Sequence, residues 1–353
     1  MIKKEAYLKI QEFDKKVMLY TLSNKAGCEV EIINYGATIR AIRVPDKTGK
    51  PVDIVLGFNT IDEYKKCDAY IGCTVGRTAG RIRGGSFFLD GKTINLSKNE
   101  KGKTTLHGGF QGFNSKIWNV IVYPEDPLKL TMTYNSPDGE EGYPGNLVTK
   151  VTFQLAETTN QLTILYDAEA DKPCPVSLTN HSYFNLNGEN SGKDVLNNEV
   201  MINSDKFLPV DEDCLPTGEM KSVTGTPMDF KVSTEIGKRI HDSTFSQFTI
   251  TRGYDNPWIL NKSEEPQIRA SSAATGIEIA IKSTEPCVVM YTGNYLDGNM
   301  KGKAGNPYIK HYGFCLETSG VENSMNEPSF PSCIIKPGHA YKQVTNFTFS
   351  VKK

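Results

Sequence analysis

Apolar and polar residues alternate with a period of two along almost the whole chain. Leu130, Met132 and Tyr134 alternate with Thr131 and Thr133, and Ile277, Ile279 and Ile281 alternate with Glu278, Ala280 and Lys282. Successive side chains of a strand point to opposite faces, so each run reads as a strand with one buried face. The clearest pair runs from Leu147 to Leu155, with Leu147, Val151, Phe153 and Leu155 inward, and from Leu162 to Ala170, with Leu162, Ile164, Tyr166 and Ala168 inward. The polar Glu157-Thr158-Thr159-Asn160 between them predicts a hairpin loop. A helical period is convincing only in a short stretch from Ile61 to Cys67. With 31 glycines and 18 prolines as punctuation, many short strands at close spacing predict an all-β fold, a large antiparallel β-sandwich. No composition shift, linker or fixed-period repeat divides the chain, so a single domain over residues 1–353 is the simpler organisation, with two domains as the alternative.

Charge narrows the partners. Forty basic residues against 41 acidic ones give a net charge of −1, with no run of like charges to attract nucleic acid or anionic lipid. A neutral small molecule fits better. The opening Met1-Ile2-Lys3-Lys4-Glu5-Ala6-Tyr7 has no signal-peptide core and no apolar run approaches membrane-span length, so a soluble cytoplasmic protein is expected. The eight cysteines are scattered without a C-x-x-C pair and read as reduced, mostly buried small apolar residues.

G-x-G-x-x-G, Walker A, H-E-x-x-H and G-x-S-x-G strings are all missing, which argues against nicotinamide, nucleotide and zincin chemistry. What remains is a set of histidines in unusual local strings. A single histidine is more often a structural or surface residue than a catalyst. His107, however, lies in Leu106-His107-Gly108-Gly109, where glycines let the backbone turn closely around a site, although a plain turn would look the same. His181 lies in Ser177-Leu178-Thr179-Asn180-His181-Ser182-Tyr183-Phe184-Asn185-Leu186, too polar for ordinary core, with an edge strand as the competing reading.

Taken with Gly76-Arg77-Thr78-Ala79-Gly80-Arg81-Ile82, Gly253-Tyr254-Asp255, Glu285-Pro286 and Phe314-Cys315-Leu316-Glu317-Thr318, these strings make the chain resemble the aldose 1-epimerase (galactose mutarotase) family from near Asn34 to Gly338. The resemblance implies a supersandwich of two large twisted antiparallel sheets, and an isomerase that interconverts the α and β anomers of a free monosaccharide without a cofactor. It assigns His181 as general acid, Glu317 as general base and His107 as a catalytic support on the ring-oxygen side, with Arg81 and Asp255 binding hydroxyls. It also places Gly80 and Val289 against the sugar. A monomer or weak homodimer is the expected state.

The chemistry suits these residue types. Mutarotation opens a hemiacetal and recloses it on the other face, so one group removes the anomeric proton while another protonates the ring oxygen, and no net proton, hydride or electron sink is needed. An imidazole near ~6.5 and a carboxylate near ~4.3 already stand in the order an acid and a base require. Asp255 can accept from hydroxyls and Arg81 can donate in a fixed fork, although either could serve equally in a structural ion pair.

The chain departs from the family strings at several places that flank the sugar. Gly80 stands for asparagine, Val289 for glutamine and Cys287 for glycine; Asn256-Pro257 and Ser319-Gly320-Val321 are also atypical. These changes point to the same reaction on an altered sugar. Two other readings stay open: glycoside cleavage by Asp255 and Glu317 as a carboxylate pair, and a catalytically silent sugar-binding sandwich. No metal is expected, because His107, His181 and His311 follow no local ligand spacing.

Overall fold

The computed structural model describes residues 7–14 and 16–352, and nearly all of its regular structure is strand. Most of the opening segment discussed above, Met1–Ala6, lies outside the described residues. Nine strands form the largest sheet, in the spatial order Asn119–Val122, Lys129–Ser136, Leu147–Leu155, Gln161–Ala170, Tyr341–Val351, Ile277–Ser283, Ile268–Ser271, Glu199–Ile202 and Thr234–Glu235. The expected hairpin is present, in register from Leu147↔Ala170 to Leu155↔Leu162, and all eight residues assigned to its inner face are buried. The strand near the C-terminus enters between two much earlier ones, pairing Phe347 with Leu162 on one side and with Ile281 on the other. This long-range closure seals the middle of the sheet.

The outer face of the large sheet is not simply wet. Thr131 is also buried, and its hydroxyl bridges Tyr123 Oη at 3.0 Å and Thr152 Oγ1 at 2.7 Å, a cross-strand ladder of polar groups. Tyr134 is only half-buried because its hydroxyl turns out to donate to Glu140 while its ring packs on Phe113 and Trp118.

Two five-stranded antiparallel sheets supply the facing material of the expected large antiparallel sandwich. One runs in order from Tyr7–Asp14 to Pro51–Asp53; the other joins Lys221–Ser222, Lys206–Phe207, Asp255–Ile259, Cys287–Tyr291 and Cys315–Ser319. They are two separate ladders, so the second layer is divided where the first is continuous. One cluster of buried residues nevertheless spans all three sheets, including Leu22, Ile32, Phe153, Ile164, Trp258, Met290 and Leu316. Burying one such side chain contributes roughly 1.5–3 kcal/mol.

The predicted helix spans Ile61–Lys66 and begins with a capping box in which Thr60 and Glu63 satisfy each other's backbone N–H groups. A second, Ser246–Thr251, escapes the sequence pattern. Its Ser, Thr and Ile residues are poor helix formers, and tertiary contacts hold it: Phe248 meets Tyr254 edge-on at 4.9 Å, and Gln247 accepts from Val210 N–H and Asn256 Nδ2. All eight cysteines are free, five buried and three half-buried. No helix among the described residues is long and apolar enough to cross a membrane.

Candidate active site

Register builds the floor of the site. In the second five-stranded sheet Asp255 pairs with Tyr291, Tyr291 with Cys315, and Val289 with both Pro257 and Glu317. Cross-strand partners share a face and alternate residues share a face, so Asp255, Val289, Tyr291, Glu317 and Ser319 stand side by side. They line a cavity of about 490 Å³. The opposite face of the same strands carries Trp258, Val288, Met290 and Leu316 into the core.

His181 reaches this floor from a neighbouring bridge. Thr179–Asn180 pairs with Thr74–Val75, and the histidine's own backbone is bonded on both sides, its N–H to Cys73 O at 2.8 Å and its carbonyl from Gly72 N–H at 2.8 Å. Residues 177–187 are buried throughout, so although Thr179–Asn180 belongs to a two-stranded sheet its polar side chains do not face solvent. The polar density has a use: Asn180 Nδ2 donates to Gly72 O, Ser182 Oγ donates to Asn180 Oδ1, and Asn185 Nδ2 donates to Lys193 O and Tyr312 O. Asparagines here give further hydrogen bonds to buried loop carbonyls. The result places His181 Nε2 at 3.4 Å from Glu317 Oε1, with both side chains almost fully buried.

His107 stands edge-on to His181, ring centroids 5.3 Å apart, with Tyr70 packed against its other edge at 4.7 Å. The glycines after it are obligatory: Gly108 has φ +90°, and a Cβ there would lie 1.9 Å from Gly76 O. Gly80 is clamped to this histidine by two backbone bonds, its N–H donating to Nδ1 at 3.2 Å and its carbonyl accepting His107 N–H at 3.0 Å. An Nδ1 that accepts a hydrogen bond carries no proton, so the neutral ring holds its hydrogen on Nε2. Gly80 therefore meets the cavity as the bracket of His107. His181 is not locked this way; its Nδ1 faces the Cys315 thiol at 3.5 Å, a group able to give or accept.

The two arginines of the G-R-x-x-x-R string separate. Arg77 is buried as a structural brace, donating to Ser136 Oγ and to the carbonyls of Ser136, Pro137 and Pro144. Arg81 lines the cavity and grips Glu100 in a two-pronged contact at 3.0–3.1 Å. Its own N–H donates to Glu322. Burial alone would lower the Arg81 pKa, but Asp255, Glu322 and Glu100 outweigh it and hold the guanidinium charged.

Burial overturns the expected acid–base order. It pushes His181 down to about 4 and lifts Glu317 well above the usual carboxylate range, with Asp255 and Glu322 raising Glu317 further and Arg81 opposing. Each charged form has lost its water, so burial favours the neutral imidazole and the neutral carboxylic acid over imidazolium and carboxylate. His107 is driven well below its ordinary value by burial, then by His181 and Arg81. Asp255 is raised by burial against the pull of Arg81.

Spacing along the chain did not foresee one feature. One donor atom each from His107, His181 and Glu317 lie within 4.8 Å of one another, a two-histidine, one-carboxylate set that could hold a divalent cation. His311 takes no part; its Nδ1 bonds Thr292 O at 2.7 Å away from the cavity. Sequence reasoning also missed Glu100, Glu322, Tyr70 and Tyr291. Tyr291 could have been found, since it shares the alternating face of Val289; Glu100, in a loop, left no periodic signal.

The family profile described as aldose 1-epimerase matches residues 18–348. The galactose mutarotase of Sus scrofa is 44% identical over 324 residues, 91% of each chain, and the aldose 1-epimerase of Escherichia coli K12 is 34% identical over 94% of each. A solved galactose 1-epimerase from Lactobacillus acidophilus superposes with a TM-score of 0.86 at 28% identity, covering 99% of this chain and all of that one.

Proposed function

The chain belongs to the aldose 1-epimerase family, and from that premise we propose that it interconverts the α and β anomers of a free aldose with His181 and Glu317 as its acid–base pair. The observation that supports this most is the 3.4 Å approach of His181 Nε2 to Glu317 Oε1 on a cavity wall. One dissociable proton belongs to the pair. With it on His181, Glu317 takes the proton of the anomeric hydroxyl while His181 delivers its own to the ring oxygen, and the C1–O5 bond breaks to give the open aldehyde. The pair then holds its proton on Glu317. Rotation about C1–C2 presents the other carbonyl face, and the same transfers in reverse close the ring.

The pKa shifts serve both directions. A carboxylate with a raised pKa is a stronger base toward a hydroxyl, and an imidazolium with a lowered pKa is a stronger acid toward an ether oxygen. His107 offers Nε2–H as a fixed donor beside them. Arg81, steadied by Glu100, and Asp255 orient the ring by its hydroxyls, while Val289 gives an apolar contact. No step needs a metal or cofactor. A single domain, a cytoplasmic location and a monomer or weak homodimer complete the proposal.

Polarimetry on freshly dissolved α-glucose, α-galactose, xylose and arabinose tests it. Wild type outpaces buffer on at least one sugar, and Glu317→Gln and His181→Asn do not. Binding without faster anomer exchange would instead favour a silent sugar-binding sandwich.

A further inference from the structure

The acid–base pair leaves one buried carboxylate of the cavity without a task. Glu322 is 8% exposed and lines the wall beside Arg81. Its Oε1 accepts Arg81 N–H and lies 3.9 Å from Arg81 Nη1. Among the described residues no protein donor reaches its Oε2. The guanidinium fork does not fill that need, because Nε and Nη2 are committed to Glu100. A carboxylate oxygen withdrawn from bulk water and turned to a cavity calls for a donor from whatever enters.

Room for this side chain comes from Gly80. At φ +73°, a Cβ on Gly80 would stand 2.6 Å from Glu322 Cγ and 2.7 Å from Cδ. Any side chain at position 80 would therefore displace the one at 322, so the two positions act as one device: a side chain withheld from one loop admits a carboxylate from another. Val289, on the sheet floor of the same cavity, offers only methyl groups. Beside Arg81 and Asp255, Glu322 is therefore a further charged group on this wall that can meet a hydroxyl.

We propose that Glu322 is a further substrate-binding residue, whose Oε2 accepts a hydrogen bond from one aldose hydroxyl in the space Gly80 leaves open, and which thereby sets the hydroxyl pattern the site prefers. The proposal rests on the mutarotase reading above. With Asp255 nearby, an added carboxylate favours neutral aldoses and works against sugar acids and sugar phosphates.

The test is calorimetric binding of a parent aldose and its monodeoxy analogues to the full chain and to Glu322→Gln, with polarimetric turnover alongside. Glutamine keeps an oxygen for Arg81 N–H but turns the second oxygen into a donor. The expected result is at least about 10-fold weaker binding of the parent sugar, little further loss on the one analogue lacking the partner hydroxyl, and a KM that moves far more than kcat. Gly80→Asn alone weakens binding through collision with Glu322. Adding Glu322→Ala to Gly80→Asn relieves the collision but not the missing acceptor, so the double variant binds no better than Glu322→Gln; full recovery would overturn the proposal. Binding by Glu322→Gln within about twofold of wild type, or an equal loss on every analogue, overturns the proposal. Wild-type turnover no faster than buffer, with the binding pattern as expected, would sink the mutarotase reading and leave the role of Glu322 standing.

Discussion

The nine-stranded sheet and the five-stranded sheet beneath the cavity are woven from the same alternating pattern, yet they spend their polar faces differently. In the first, apolar residues such as Phe153 and Ile164 form the core and the opposite face carries threonine ladders and solvent-facing charges. In the second, Trp258, Met290 and Leu316 form core while Asp255 and Glu317, on the other face, look into an enclosed space. Alternation reports that a strand has two faces; it does not report whether the polar one is wet. That difference decides the chemistry, because a carboxylate kept from water changes its protonation and one left in water does not.

The sharpest way to break the comparison is to cut one residue from each sheet. Glu317→Gln lowers kcat by about 10²–10⁴ with the thermal midpoint near that of wild type. Phe153→Ala costs about 3–5 kcal/mol of stability and leaves kcat of the surviving folded enzyme unchanged. Chemical denaturation and polarimetry on both variants check it. Loss of activity without loss of stability at Phe153 would dissolve the division of labour.

A third buried carboxylate sharpens the electrostatic side. Glu285 is raised to about 7 by burial, while the hydrogen bond from Tyr341 works the other way. Its folded pKa lies above its unfolded one, so its contribution to stability is complete below about 4.5 and is lost as the pH rises through about 7. Glutamine has no proton to lose. Glu285→Gln therefore gains on wild type by roughly 1–3 kcal/mol between about pH 5 and 8, measured as the difference in unfolding free energy; a constant difference refutes the shift.

Smaller still is the effect at Arg81. Lysine keeps the charge but not the fork onto Glu100, so Arg81→Lys raises KM about 10-fold and leaves kcat close to wild type in steady-state assays. Last, nitrogen NMR of His181 finds the ring still neutral at about pH 5.5, where a free imidazole is mostly charged. Protonation near the ordinary value would mean that the cavity is wetter than the sheet beneath it implies.

Legibility in the sequence follows the same division. The hairpin of Leu147–Leu155 and Gln161–Ala170 was readable because its pattern and its turn are local. The insertion of Tyr341–Val351 between distant strands was not, because pairing partners far along the chain leave no periodic trace. Within the site, His181, Glu317, His107, Arg81, Asp255, Gly80 and Val289 all reach the cavity, but their strings gave residue types and not surroundings. Free-solution values carry no information about burial, which pushes His181 down and Glu317 up. Gly80 lines the cavity as expected, and its backbone also brackets His107, which its string did not tell. Glu322 stayed invisible because its meaning depends on a side chain that position 80 lacks.

The bond from Gly80 N–H to His107 Nδ1 fixes more than a ring angle. Charging that imidazole would require the backbone to surrender its acceptor inside a cavity that already opposes the charge, so His107 stays a spectator to proton traffic at any working pH. In the proposed mechanism a proton leaving the sugar has two stations available, not three. With a two-station relay the forward and return transfers use the same two atoms, and an enzyme whose task is to run one equilibrium both ways has no third basin in which its proton could be stranded.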